Sequence, residues 1–219
     1  KDTIDYYLKK LKELGFTDIV VDVRPISGHV LYKSEHAPLL TQWKGKTINY
    51  TFDYLGYYIE RAHTLGLKVQ ASLNTFVAGH NYMDEGPIYE GGKADWATIV
   101  YPPSGEVKLI PITQEKEKYS AMVNPVNEEF QEYILNIFRE VVEKYPELDG
   151  IILDRVRYDG FTSDFSNLSR RKFEEHLGKE LDQFPDDIYR WKKDENGNLY
   201  PERGKYFLQW NEWRTSVIY

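Results

Sequence analysis

Three successive helix-then-strand units, mostly apolar strands, and polar residues at the carboxyl end of each strand predict an α/β chain. The expected architecture is part of a (β/α)8 TIM barrel, with a β-hairpin inserted after the strand that ends at Asn74. Alternating helices and strands imply parallel strands joined by crossover helices. Strands that are apolar on both faces are those covered on both sides. A doubly wound sheet would use the same units, but no Gly-rich phosphate loop follows any strand.

The elements follow in order. Ile4, Tyr7, Leu8, Leu11 and Leu14 share one helical face between Asp2 and Leu14, and Gly15 stands where a C-terminal cap is expected. Ile19 to Val23 is a short, largely β-branched strand that stops at Arg24-Pro25, where proline removes a donor. Phe52 to Leu65 repeats the helical spacing through Leu55, Tyr58, Ile59 and Ala62, and Lys68 to Asn74 is the next strand. The stretch 77–123 is too long for a structureless connection, so it is expected to be an insertion. Within it, Trp96–Tyr101 and Glu106–Pro111 flank Pro-Pro-Ser-Gly and read as a hairpin, either overhanging the active-site face or merely decorating the surface. Asn127 to Tyr145 is the longest helix, with a stripe of Phe130, Tyr133, Ile134, Ile137, Phe138, Val141 and Val142. Ile151 to Asp154 is the third strand. A helix over 169–181, a polar turn at Asp194–Asn198 that suggests a second hairpin or lid, and a helix over 205–219 complete the reading. Only three strands are accounted for where a closed barrel needs eight, so the chain is expected to be a fragment. It begins at Lys1 rather than Met, which fits a cut or processed chain.

Bulk properties narrow the function. At 219 residues a single domain, 1–219, is the default. A net charge of −7, from 28 Lys+Arg against 35 Asp+Glu, argues against a nucleic-acid partner. No apolar run is long enough to span a membrane. The chain has no cysteine, which excludes disulfides and thiol chemistry. No two histidines have metal-ligand spacing, so neither a metal nor another cofactor is expected. The Asn-x-Ser/Thr patterns at Asn49 and Asn167 read as accidental. Aromatic residues reach 15%, with 18 Tyr and 5 Trp. Such side chains stack on sugar rings when they are not simply half-buried packing residues.

Asp154 is the residue on which the chemistry is expected to centre. Three apolar residues hold its backbone in a buried strand, and its side chain would emerge at the barrel mouth. The neighbouring Arg155 and Arg157 would favour its ionised form, which suits a nucleophile or base. A structural Asp–Arg pair at a strand end is the plainer alternative. Arg24, Asn74, Arg155 and Arg157, also at strand ends, are candidate substrate contacts, as are His29 and His80 just after strands. Hydrolysis of a glycosidic bond calls for a second carboxyl. Asp22 reads as a structural strand acid, Asp159 and Asp164 as solvated loop acids, and Glu85 and Glu90 as loop acids able to reach over a cleft. The missing acid is therefore expected beyond Tyr219.

Four stretches resemble the glycosyl hydrolase-like 10 family, a group of mostly bacterial TIM-barrel proteins. They are Leu11-Lys-Glu-Leu-Gly-Phe through Val21-Asp-Val-Arg-Pro25; Leu31-Tyr-Lys-Ser-Glu-His-Ala-Pro38, similar to a Tyr-x-Ser-x-x-x-Pro signature; Tyr54 to Asn74; and Asn124-Pro125 leading to Leu148–Tyr158. The resemblance implies that Lys1 follows the first barrel strand, and that Asp154 stands where amylase-like barrels carry their nucleophile. Asn124 and Tyr158, in the most diagnostic block, join the candidate substrate contacts. The family often has a histidine where Ile152 stands, and a small or acidic residue where His29 stands. Both departures bear on specificity. The expectation is a glycoside hydrolase acting on a polysaccharide or cell-surface glycan, placed extracellularly or in the periplasm by that substrate class. A non-catalytic glycan-binding barrel is the alternative, followed by a sugar lyase or transferase using the same cleft.

Overall fold

A computed structural model describes residues 1–219 as a mixed α/β chain. Helix α1 (Asp2–Glu13) leads into β1 (Asp18–Arg24), and a small hairpin, β2 (Gln42–Trp43) and β3 (Lys46–Thr47), precedes α2 (Tyr54–Thr64). Strand β4 (Lys68–Asn74) is followed by β5 (Val77–His80), α3 (Pro87–Glu90), β6 (Ile99–Val100), β7 (Ile110–Pro111) and β8 (Ser120–Met122). Then come α4 (Glu128–Lys144), β9 (Gly150–Asp154), α5 (Asn167–Leu177), the hairpin β10 (Tyr189–Lys193) and β11 (Leu199–Arg203), and α6 (Phe207–Ile218).

The expected helix–strand repeats are all present, and their three strands form one parallel sheet in the order β1-β4-β9. The other sheets are two-stranded, and no barrel closes. On one face of the sheet Val69, Ala71 and Leu73 are fully buried, joining a core with Leu8 of α1, Leu55 and Ile59 of α2, and Phe130, Ile137 and Val141 of α4. Burying such side chains contributes about 1.5–3 kcal/mol each. Val142, placed on the α4 stripe by its spacing, is 54% exposed, because the buried stripe is narrower than the apolar one. Helices α2 and α4 carry side-chain N-caps: Asp53 accepts from the Gly56 N–H at 3.2 Å, and Asn127 from the Phe130 N–H at 3.0 Å. No helix is long and apolar enough to cross a membrane.

The insertion differs from its expected form. Its predicted hairpin shrinks to two pairs, Ile99 with Pro111 and Val100 with Ile110, because Pro102 and Pro103 withdraw donors just past β6. Trp96 lies in a 3₁₀ turn, not a strand. The insertion is also more than surface decoration, since Val77, Ala78, Trp96, Ile112, Ala121 and Met122 all enter the main core. Antiparallel β5 and β8 carry it there.

One glycine welds the insertion to the loop after β1. Gly86 has φ +110°, and a Cβ there would lie 2.0 Å from the Ser27 carbonyl oxygen and 2.8 Å from that of Ala78. Backbone strain and overpacking each cost about 1–3 kcal/mol. Gly86→Ala is expected to lower stability by about 3 kcal/mol or more, read as a drop in the urea midpoint. An unchanged midpoint would show that the loop can move aside.

A second cluster, built from Tyr101, Phe165, Phe173, Tyr189, Trp210 and Trp213, unites α5, α6 and the β10–β11 hairpin. That hairpin forms around the polar turn expected at Asp194–Asn198, where the Asp194 carboxylate accepts from the Asn196 and Asn198 N–H groups.

Candidate active site

Parallel register places Asn74 beside Asp154, at the carboxyl ends of β4 and β9. The chain turns immediately afterwards. Arg155 has φ +53°, a left-handed conformation costly for a residue with a side chain, and its N–H donates to Asp154 Oδ1 at 2.8 Å. The Thr75 N–H donates to the Asp154 carbonyl at 2.7 Å, tying the two strand ends together. Asp154 is exposed.

The arginines do not behave as expected. Arg155 swings its guanidinium to Asn74 Oδ1 (Nε, 2.9 Å) and to the Tyr119 hydroxyl (Nη2, 2.8 Å), lying 5.4 Å from that ring's centre. Arg157 donates to the Tyr158 carbonyl at 3.2 Å. Neither forms the structural ion pair with Asp154 that was the plainer reading. The left-handed residue turns the strand, so alternation cannot be carried past Asp154.

An aromatic wall stands near this end of the sheet. The β2–β3 hairpin turns at Lys44 and Gly45, both at positive φ as a two-residue hairpin turn requires, and presents Trp43. The Trp43 ring meets His80 edge-on at 5.7 Å, and His80 meets Tyr82 at the same distance. Tyr82 is 61% exposed, with its hydroxyl held by the Glu117 carbonyl at 3.0 Å. Tyr119, beside Arg155, is half-exposed. His80 is buried with Nδ1 unpartnered, and so is the Ser120 hydroxyl across the β5–β8 pair. Trp43, Tyr82 and Tyr119 were missed in the sequence because only the fold draws them to the strand ends. Lys44-Gly45 was a weak local signal for the hairpin.

Several predicted contacts lie elsewhere. The register of β1 against β4 shifts between Asp22, paired with Ser72, and Arg24, paired with Leu73. This bulge sends Arg24 to the covered face, where it is fully buried, donating to the Asn74 carbonyl and lying near Tyr32 and Tyr133. Asn124 is also internal. Its amide donates to Asp164 Oδ2 (2.9 Å), Ser166 Oγ (3.0 Å) and Ser169 Oγ (3.1 Å), so no donor is left for a ligand. Tyr158 is 8% exposed beneath the Arg214 guanidinium, 4.3 Å from its ring centre, and serves packing. His29 is buried, with Nε2 3.6 Å from Glu90 Oε2. Of the predicted contacts, the structure brings only Asn74 and Arg155 to Asp154, with His80 on the wall.

The best-formed groove is not at Asp154. A groove of about 580 Å³ runs along the unpaired edge of β1, walled by Tyr7, Leu11, Tyr50, Tyr54 and Tyr58. Its lining is hydrophobic except for Asp22, so it lacks the convergent polar groups of a substrate site.

With this geometry in place, the profile of the glycosyl hydrolase-like 10 family matches residues 1–218. The chain belongs to that family. An S-layer-related protein from Niallia circulans is 32% identical over 99% of this chain, which spans only 14% of that protein's length. The solved structure of α-L-fucosidase isoenzyme 2 from Paenibacillus thiaminolyticus superposes on 81% of this chain and 23% of its own, with a TM-score of 0.56 and 18% identity. At that identity the likeness is one of fold.

Two glycosyl hydrolase-like 10 motifs prove to be fasteners. Tyr32 and Ser34 of the Tyr-x-Ser signature donate to Glu140 Oε2 on α4, at 2.9 and 2.5 Å, while the Glu35 N–H donates to Oε1 at 2.7 Å. His63 Nε2 and the Val69 N–H both reach Asp149 Oδ2, at 2.8 and 2.7 Å. The Val69 N–H and then His63 hold Asp149 below the ordinary aspartate value of 3.8. Partial burial pushes Glu140 up, but its three donors outweigh that and hold it below the ordinary 4.5. Carboxyls depressed in the folded state stabilise it above their unfolded values, and that contribution disappears as pH falls through the folded ones. The melting temperature is therefore expected to be flat near neutrality and to fall below about pH 4.5. Glu140→Gln and Asp149→Asn should each flatten that acid limb. Limbs identical to the wild type in both variants would exclude these two carboxyls as its source.

Proposed function

We propose that this chain is part of a (β/α)8-barrel glycoside hydrolase acting on a polysaccharide or cell-surface glycan, with Asp154 as the catalytic base or nucleophile. The observation that carries this reading is the end of β9: an exposed carboxylate in register with Asn74, beside an arginine turned away to brace the neighbouring strand. Membership of a glycosyl hydrolase-like family supports the reaction class. The shared fold with a fucosidase and the unpaired edges of β1 and β9 support an arc of a barrel, with the apolar groove of β1 as the seat of an adjoining strand.

Residues 1–219 then act as one partial barrel domain, with the 77–123 insertion as one wall of the mouth. Asn74, buried, orders the strand ends by donating to the Arg24 carbonyl at 3.0 Å and accepting from Arg155, whose guanidinium would meet sugar hydroxyls. Trp43, Tyr82 and Tyr119, with buried His80 behind them, supply the amphipathic faces on which pyranose rings stack. The S-layer-related relative favours an extracellular or cell-surface location. The test is turnover of a glycan panel by the wild type and by Asp154→Asn.

A further inference from the structure

Asp22 lies inside β1, where sequence alone marks a structural acid, but its surroundings are not those of one. A structural carboxylate within a strand usually holds a cation or a set of donors. Within residues 1–219 Asp22 accepts the Arg24 backbone N–H but forms no ion pair and no side-chain hydrogen bond, and the bulge that follows it carries Arg24 to the other face of the sheet. Register puts Asp22 level with Ser72 and Ser72 level with Ile152, while Asn74 is level with Asp154. Side chains two residues apart on a strand share a face, so Asp22, Ser72, Asn74, Ile152 and Asp154 all rise from the one opposite the helices. Asp22 and Asp154 are both exposed there.

Their separation follows from strand geometry. Two interstrand steps and two residues of rise put their Cα atoms about 12 Å apart, and their carboxyls on the order of 10 Å. That is just beyond the roughly 6.5–9.5 Å of paired carboxyls that leave room for a water, and about twice the ~5 Å of a covalent mechanism.

We infer that Asp22 is the general acid that works with Asp154 as general base in an inverting hydrolysis, an inference that rests on the hydrolase reading above. Asp154 takes a proton from water as the water oxygen bonds to the anomeric carbon. The glycosidic C–O bond breaks, its electron pair stays with the leaving oxygen, and Asp22 delivers its proton there. Exchange with solvent restores both carboxyls. The electrostatics agree in direction. Partial burial beside the apolar groove pushes Asp22 above its ordinary value, the Arg24 N–H pulls it down, the negative charge of Asp154 pushes it up, and the Arg24 guanidinium pulls weakly down. A carboxyl whose surroundings favour its protonated form more than a free aspartate's do is shifted in the direction a general acid needs.

The experiment compares leaving groups. Asp22→Asn is nearly isosteric at an exposed position, and a thermal melt verifies its fold. It is expected to lose about 10²–10⁴-fold in kcat/KM on unactivated disaccharides, the usual contribution of a positioned acid. On 2,4-dinitrophenyl glycosides of the same sugar, which need no proton, the loss should stay under about 10-fold, and proton NMR should show the inverted anomer as first product. Equal losses on both substrates, no loss on either, or a retained anomer would overturn the assignment. If the wild type turns over no glycan, the hydrolase reading fails. If Asp154→Asn is fully active, the role of Asp154 fails and the pairing with it; if Asp154→Asn is dead while Asp22→Asn is active, only the pairing fails. Carboxyl ¹³C titration supplies an arm independent of turnover. Asp22 should titrate lower in Asp154→Asn than in the wild type, and an unmoved Asp22 rejects the pair.

Discussion

Asp154→Asn is expected to abolish turnover of any glycan the wild type cleaves, by about 10³-fold or more in kcat, while leaving glycan affinity within a few-fold. Asparagine is close in size to aspartate and can still accept the Arg155 N–H, so the left-handed turn at Arg155 is retained. What it lacks is the charge and basicity needed to take a proton from water. The Arg155 brace to Asn74 and Tyr119 does not involve Asp154 and should survive, preserving the local architecture. Initial-rate assays paired with calorimetric binding separate the two effects. Persisting turnover would remove Asp154 from the mechanism. Glycan binding by a wild type that hydrolyses nothing would convert the reading to a non-catalytic, glycan-presenting module.

The largest loss of stability is expected at Asp164, a fully buried carboxylate with five donors. Thr98 Oγ1 and the Ile99 N–H reach Oδ1 at 2.8 and 2.5 Å. Asn124 Nδ2, the Ser166 N–H and Ser169 Oγ reach Oδ2 at 2.9, 3.0 and 2.7 Å. These donors come from the insertion, from the segment before α4 and from the start of α5, so one side chain joins the two hydrophobic clusters. Asp164→Ala leaves those groups without an acceptor and is expected to cost about 4 kcal/mol, or about 10 °C in Tm for a chain of this size. Glu147→Ala, at an exposed site, should stay within about 0.5 kcal/mol. A near-wild-type melt for Asp164→Ala would mean that water replaces the carboxylate.

Neither Asp164 nor Asp22 was assigned its surroundings in the sequence, and the reasons are physical. Asp164 sits in a polar stretch that resembles any solvated loop, while its partners Thr98 and Asn124 are 66 and 40 residues away. A local window carries no trace of such pairings. Asp22 and Arg24 are two residues apart, and simple alternation places them on one face as a structural pair. A single bulge reverses that relation, burying Arg24 and leaving Asp22 facing Asp154's side of the sheet. The same reversal buries Arg24 in the core, and long-range hydrogen bonding engages the amide of Asn124.

The sequence by itself determined what depends on local periodicity and local chemistry. That covers the three helix–strand repeats, the hairpin around Asp194, and the end of an apolar strand at Asp154. The tertiary structure alone decided which polar residues meet. It set Arg155 against Asn74, gathered Trp43, His80 and Tyr82 into a wall, hid Asn124 behind Asp164, and turned Asp22 toward the open face. Periodicity of 2 or 3.6 residues can be read within one segment. Register, bulges and hydrogen bonds between distant segments arise only when the chain is packed.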